Sequence, residues 1–437
     1  MIPAALKAIE AALVPKGVRQ SNLKQGYGRR MQLADPQANG FDPERLAAIP
    51  AFLRARYLET GKLPHAQLLI GRGDSIVHFS SSGAARDGGE AAIDETSLFR
   101  IASMTKPVTS VAFMQLVEAG TVALDTPVHH VLPELKGVGV YDGGGGGVPF
   151  ATKPTAAPMR MVDLLRHTSG LTYGFQNRSN IDAAYREGKL ENWHGNLDLD
   201  GFVATLGKLP LEFSPGEGWN YSVSTDVLGA VVQRVSGMPL AEYFRERIFA
   251  PLGMDDSFFA VPEDKLDRLT DCWTFVPGKG RIMYDRGAAS AWARMPKLVS
   301  GGGGLVSTSL DYHRFCRMCL AGGTLDGVRI LSRKSLALMT LNHLPGGGDL
   351  ATLSRSLFSE TTNAGTGFGL GFAVTIDVAK TLIPGSIGEY YWGGMFSTAF
   401  FIDPVERIIC VFMTQMSPSN TYPIRRELKT LIYSALT

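Results

Sequence analysis

The sequence predicts an α/β domain interrupted by a helical one. Strand-like apolar runs lie near both ends of the chain, and a helix-rich stretch with long Gly, Pro and Asn segments lies between roughly 121 and 290. The length of 437 residues, about three times the ~150 usual for one domain, asks for one large or two interleaved units. The expected division is residues 1–120 with 291–437 as a discontinuous α/β domain and 121–290 as the helical domain.

Each element follows from its local pattern. Residues 1–20, MIPAALKAIEAALVPKGVRQ, predict a short amphipathic helix. The stretch lacks a continuous apolar signal core and a small-residue cleavage site, which predicts a cytoplasmic protein. Residues 66–81, AQLLIGRGDSIVHFSS, are two apolar or alternating runs separated by Arg72, Gly73 and Asp74, the pattern of a β-hairpin. From Met104 onward Val108, Val111, Ala112, Leu116 and Val117 recur at helical spacing, with Gly120 placed for a left-handed C-terminal cap. Pro107 fits such a helix only near its N-terminus. MVDLLRHT and TDVLGAVVQRVSG read as helices of the central stretch, which also contains the glycine run Gly143 to Gly147. After Gly301 to Gly304 the segment LDYHRFCRMCLAGG is helical, and GFAVTID, STAFFID and RIICVFMTQ are strand-like. Asp403-Pro404-Val405-Glu406 is a turn between the last two. YPIRRELKTLIYSAL predicts a closing helix that starts at Pro423.

Composition excludes several classes of function. Hydrophobic residues make up 45% and charged residues 19%, which is the balance of a packed globular chain rather than a disordered one. Forty-three Lys and Arg against 41 Asp and Glu leave +2, with no single-sign block, so no nucleic acid or anionic membrane is expected as a partner. No run of ~18 apolar residues is free of charges and breakers, so no membrane span is expected. Cys272, Cys316, Cys319 and Cys410 are too few for a disulfide framework and read as reduced, buried thiols. Cys316-Arg-Met-Cys319 falls on the apolar side of its helix, where core packing accounts for it. No Gly-x-Ser-x-Gly elbow and no phosphate loop is present, and the glycines of GTGFGLGF lack dinucleotide-loop spacing. No His-x3-His occurs, and the adjacent His129 and His130 cannot share a helix face, so neither metal nor cofactor is expected. His167, at the end of DLLRHTSG, reads as a structural polar contact.

The chemistry concentrates in three segments. Ser-x-x-Lys occurs at Ser21/Lys24, with no apolar run behind it, and at Ser103/Lys106, at the start of the buried helix. There the i, i+3 spacing places the ammonium of Lys106 beside the hydroxyl of Ser103, and the helix N-terminus favours negative charge on that oxygen. In PGEGWNYSVSTDVLGAVVQ, Tyr221 follows a Pro-Gly turn and precedes an apolar helix. Beside an ammonium its phenolate is favoured and can accept a serine proton. In GEYYWGGMFSTAFFIDP, Trp392, Gly393 and Gly394 are expected to open a strand whose backbone a substrate can approach closely.

The order SMTK, YSV, WGG, with PGEGWNYS and SGGGGLVSTSLDYHRF between and around them, resembles the serine β-lactamase and penicillin-binding-protein superfamily, and within it the family VIII carboxylesterases, which are similar to class C β-lactamases. The resemblance runs from about Phe41 to the end. It implies a β-lactamase-like fold, an antiparallel sheet flanked by helices beside a mostly helical domain, with the site in the cleft between them. It also implies Ser103 as the acylated nucleophile, Lys106 as its proton-managing neighbour and Tyr221 as general base and acid, with the backbone N–H groups of Ser103 and Met395, on the strand after Trp-Gly-Gly, as the oxyanion hole. Val223 stands where the β-lactamases carry a substrate-binding asparagine, and Trp392-Gly393-Gly394 where they carry Lys-Thr-Gly, a replacement typical of the esterases. The expected activity is therefore hydrolysis of a small-molecule ester, short in its acyl chain, through an acyl-serine without a cofactor, with weak β-lactam turnover possible on the same groups. Acyl transfer, or β-lactam or D-peptide hydrolysis, on the same scaffold is the nearest rival. A binding protein that keeps the fold would have no need of Ser103, Lys106 and Tyr221 together.

Overall fold

The computed structural model describes residues 31–355 and 363–437. The expected N-terminal amphipathic helix and the Ser21/Lys24 pair lie outside the described residues. The framework is a seven-stranded, wholly antiparallel sheet. Its strands are β1 (His65–Arg72), β2 (Ser75–Gly83), β3 (Thr366–Phe368), β4 (Ala373–Thr375), β5 (Tyr390–Gly393), β6 (Ala399–Asp403) and β7 (Ile408–Met413). They lie in the order β3-β4-β5-β6-β7-β1-β2, so the chain's first hairpin docks against its last strand, Leu69 opposite Val411. The β1–β2 hairpin closes through Gly73 and Asp74, with Gly73 at φ 60°. At the turn after β6, Asp403 Oδ1 accepts from the N–H groups of Val405 and Glu406.

Both faces of this sheet are covered, which is why its central strands read as continuous rather than alternating apolar runs. Leu68, Ile70, Phe401, Ile408, Cys410 and Phe412 point to one side. There they meet helix α1 (Pro43–Leu53), through Leu46, Ile49 and Leu53, and the closing helix, through Ile424, Leu428 and Ile432. Leu69, Phe400, Ile402, Ile409, Val411 and Met413 point to the other side, into the larger core. That core contains α2 (Thr105–Glu118), α3 (Ser224–Ser236) and α4 (Ser309–Leu320), whereas the closing helix α5 (Ile424–Ser434) packs on the first face. α2 is buried on nearly every side from Thr105 to Met114, and its chain ends on Gly120 at φ 70°, the expected left-handed position. Cys316 and Cys319 are buried in α4 among core side chains, and all four cysteines are free and buried.

The stretch 121–290 holds α3 and shorter helices such as Met161–Leu165 and Leu199–Leu206, and also two hairpins, Val140–Gly145 with Val148–Lys153 and Cys272–Val276 with Gly280–Asp285. The first hairpin contains the glycine run: Gly143 to Gly147 all have positive φ, a tight reversal that side chains would disfavour. The second joins Met416–Ser417 in a small sheet and is clamped by the ion pair of Asp285 with the fully buried Arg100. No helix among the described residues is long and apolar enough to cross a membrane.

Candidate active site

Ser103 sits in a 3-10 turn, Ala102–Met104, that feeds directly into α2. Ala102 has φ 45°, unusual for a residue with a side chain, and the segment is held in that geometry from both sides. Ile101 N–H donates to Leu305 O, its carbonyl accepts from Thr398 Oγ1 at 3.3 Å, and Arg100 N–H donates to Gln415 Oε1. The serine is thus placed by the N-terminus of α2, the β5–β6 turn and the segment after the Gly301–Gly304 run.

Lys106, the second residue of α2 and one turn on from Ser103, is 2% exposed. Its Nζ donates to Ser103 Oγ at 3.1 Å, to the Tyr173 hydroxyl at 3.0 Å and to Gly302 O at 2.6 Å. It also lies 4.7 Å from the ring centroid of Tyr221. A buried ammonium is tolerable only with such partners, and a counter-charge stands nearby in Asp226, buried in the first turn of α3. Burial pushes the Asp226 carboxyl up, while the charge of Lys106 and hydrogen bonds from Ser300 and Gly302 oppose the shift. Asp226 Oδ1 accepts from Ser300 Oγ at 2.5 Å and Gly302 N–H at 3.1 Å, which fixes the loop that offers its carbonyl to Lys106. A Cβ on Gly302 would lie 2.3 Å from Asp226 Oδ2, so this loop position requires glycine.

Tyr221, three residues before α3, brings its hydroxyl to Ser103 Oγ at 2.7 Å. It is 5% exposed and surrounded by rings: Trp219 stacks at 6.2 Å, and His167, Tyr173 and Trp392 lie at 5.0, 5.2 and 5.3 Å between centroids. The Trp392 indole N–H donates to the Tyr221 oxygen at 3.4 Å. His167 packs here with φ 57° and Nδ1 3.2 Å from Ser222 Oγ. Burial, with the Lys106 charge second, holds it well below the usual imidazole range, so it stays neutral.

The strand expectation at Trp-Gly-Gly needs correction: Trp392 and Gly393 end β5 rather than open a strand, and Met395 lies in the turn between β5 and β6. That turn is closed by Gly394 N–H to Thr398 O at 2.9 Å and Ser397 N–H to Gly394 O at 3.1 Å. Tertiary packing dictates both glycines. A Cβ on Gly394 would meet Ile101 O at 2.5 Å and one on Gly393 the Arg425 guanidinium at 2.6 Å. The N–H group of Met395, in this turn, has no backbone acceptor among the described residues. Val223 is buried at the N-cap of α3, its N–H donating to Thr172 O, and it is not part of the cavity wall.

Ser103, Tyr221, Trp392, Gly393, Gly394 and Met395 all line one cavity of about 580 Å³, with Tyr173, Phe175, Trp193 and Trp219 among its other walls. Tyr173, Gly302 and Asp226 were not singled out from the sequence. Asp226 lies five residues beyond Tyr221 and Gly302 within the glycine run, but nothing in either pattern points at Lys106. Among the described residues no group of three or more His, Cys, Asp and Glu is placed to hold a metal ion. A hydroxyl hydrogen-bonded at once to a phenol and an ammonium, at a helix N-terminus, is arranged for nucleophilic attack on a carbonyl.

A family profile described as Beta-lactamase matches residues 53–433. Protein Rv1367c of Mycobacterium tuberculosis is 35% identical over 363 residues, covering 82% of this chain and 88% of that one. Esterase EstB of Burkholderia gladioli is 29% identical over 418 residues, covering 92% and 98%. Among solved structures, EstCE1, described as a hydrolase with promiscuous acyltransferase activity, superposes with a TM-score of 0.73 at 24% identity, over 91% of this chain and all of that one.

Proposed function

This chain belongs to the beta-lactamase family and is a serine hydrolase; from that premise we propose that it is a carboxylesterase that hydrolyses short-chain carboxylic esters through an acyl-enzyme on Ser103. The observation that carries the reading is the 2.7 Å contact of the Tyr221 hydroxyl with Ser103 Oγ, set beside an ammonium whose three donors are all engaged. Lys106 therefore holds the nucleophile's oxygen from the helix side, while the Tyr221 oxygen meets it from the other element. Tyr221 is the base: its hydroxyl meets Ser103 Oγ directly, with Lys106 Nζ 4.7 Å from its ring centroid and the Trp392 N–H on its oxygen.

In the acylation step the Ser103 proton passes to the Tyr221 oxygen as Oγ attacks the ester carbonyl carbon. The tetrahedral oxyanion is met by the N–H groups of Ser103 and Met395. Its collapse breaks the bond to the alkoxy oxygen, which takes the proton from Tyr221 and leaves as the alcohol. Water then attacks the acyl carbon, gives its proton to Tyr221, and the acid departs as Ser103 regains that proton. Similarity to an esterase over nearly the whole chain supports an ester as substrate and water as acceptor.

Trp392 supports the ester over a β-lactam, because a substrate carboxylate would find an indole where a cation would be needed. A second reading, acyl transfer to an alcohol, is supported by a cavity of about 580 Å³, more than a short-chain ester fills. The test is mass spectrometry of the adduct formed with an organophosphonate. The label is expected on Ser103. An adduct on Ser169 or any other serine, with Ser103→Ala still active, overturns the assignment.

A further inference from the structure

The ammonium of Lys106 needs three acceptors, and only two of them are tied to elements already assigned a task. Ser103 is the nucleophile, and Gly302 belongs to the loop held by Asp226. The third is the Tyr173 hydroxyl at 3.0 Å. Val223 carries no polar side-chain atom that might serve, and its own N–H reaches Thr172 O, which ties the residue before Tyr173 to the start of α3. We propose that Tyr173 is a positioning residue of the reaction: its hydroxyl holds the Lys106 ammonium against Ser103 and Tyr221. The inference rests on the reading of Ser103 as the acylated serine.

Two features fit Tyr173 for holding rather than for proton transfer. Burial, and then the negative charges of Asp226, Tyr221 and Glu191, keep its phenol well above the ordinary range, so it remains protonated while its oxygen accepts from Nζ. It also does not reach Ser103, whereas Tyr221 does. The residue is held on every side. Its ring stacks on Phe175 at 4.7 Å and 23°, and tilts against Tyr221 at 5.2 Å. The next residue, Gly174, donates its N–H to the Glu191 carboxylate and accepts from Arg186 at its carbonyl. Removing the hydroxyl would leave one N–H of a 2%-exposed ammonium without its acceptor, free to swing the charge off the line between the two oxygens that exchange the proton.

The test is Tyr173→Phe, which keeps the ring and the cavity wall. On a butyrate ester, kcat is expected to fall ten- to a hundredfold, about 1.4–2.8 kcal/mol of transition-state stabilisation, while KM changes less than about threefold. The basic limb of the pH profile of kcat/KM should move to lower pH. The groups facing Lys106 are Asp226, Tyr221, neutral His167 and, behind Tyr173, Glu191, and of these the substitution removes only an acceptor for the ammonium proton. Tyr173→Gln, whose amide oxygen can take the phenol's place, should restore the limb toward the wild type, and it carries the test if the phenylalanine variant does not fold. Phe175→Leu, which disturbs the stack and one wall of the cavity but removes no acceptor of the ammonium, should change KM and leave the limb in place. If wild-type Ser103 is not labelled by the organophosphonate, the proposed function fails. If Ser103 is labelled and Tyr173→Phe keeps both kcat and the pH limb, or if Phe175→Leu moves the limb equally, Tyr173 is only a wall of the cavity.

Discussion

Lys106 and Tyr221 share one oxygen, so removing both should cost little more than removing either. Tyr221→Phe deletes the 2.7 Å partner of Ser103 Oγ, and Lys106→Ala deletes the 3.1 Å donor together with the charge 4.7 Å from the Tyr221 ring. General acid and base catalysis is worth roughly 10²–10⁴ in rate, so each single variant should lose about that much in kcat. Independent contributions would multiply, giving a double variant roughly 10⁴–10⁸ below wild type. The geometry argues otherwise, because a phenol without the ammonium is a poor base, and an ammonium without the phenol has no base to serve. The double variant should stand within about tenfold of the worse single, a coupling of at least ~1.4 kcal/mol. The assay is kcat and kcat/KM on a butyrate ester for the four proteins of the cycle, with Ser103→Ala as the floor and thermal melts to show that each is folded. Losses that multiply in folded variants standing well above that floor would mean the two residues act separately, and the proton path from Ser103 to Tyr221 would be wrong.

Two further outcomes follow from other parts of the molecule. Trp392→Lys places a cation beside the Tyr221 oxygen and at the cleft wall, and should shift the ratio of kcat/KM for a chromogenic cephalosporin over a butyrate ester upward by roughly one to two powers of ten. An unchanged ratio in a folded protein would remove Trp392 as the selectivity element. Acid should destabilise the fold through buried histidines: burial lowers His65 to about 4, so between an unfolded value of ~6.5 and that folded value the unfolded chain binds the extra proton, and stability falls as pH falls. For His65 the full loss is on the order of 3 kcal/mol, and His65→Asn, which can keep the contact with Ala84 O, should flatten the urea-midpoint slope between pH 6 and 4; an unchanged slope would place the acid sensitivity elsewhere.

Much of this site was legible because its chemistry is local. Ser103 and Lys106 share a turn, and the helical spacing of Val108, Val111 and Ala112 marks that turn as the start of a buried helix. The hairpin at Gly73, the turn at Asp403 and the helices α3, α4 and α5 were legible for the same reason. Where the expectation failed, a distant segment had decided the outcome. Gly393 and Gly394 looked like the opening of a strand, yet Gly393 ends one and Gly394 follows it into the turn, where Arg425 from α5 and the Ile101 carbonyl occupy the space side chains would need. Val223 stands where the resemblance places a substrate-binding residue, yet it is buried and lies outside the cavity wall.

The same distinction explains why the acceptors of Lys106 were not found. A lysine's need for three partners can be inferred from burial, but a partner 67 residues away, as Tyr173 is, or 196 away, as Gly302 is, leaves no spacing signal in one sequence. What the chain does show, in retrospect, is the glycine run that lets residues 301–304 pass close to Asp226 and Thr109, a closeness that side chains there would prevent. The nucleophile is thus encoded within one helical turn, whereas the electrostatics that make it a nucleophile are assembled from α3, the Gly301–Gly304 loop and the segment around Tyr173. Substitutions in that second set should alter rate and pH dependence while leaving the labelled serine the same, which is the pattern that separates positioning from reaction at this site.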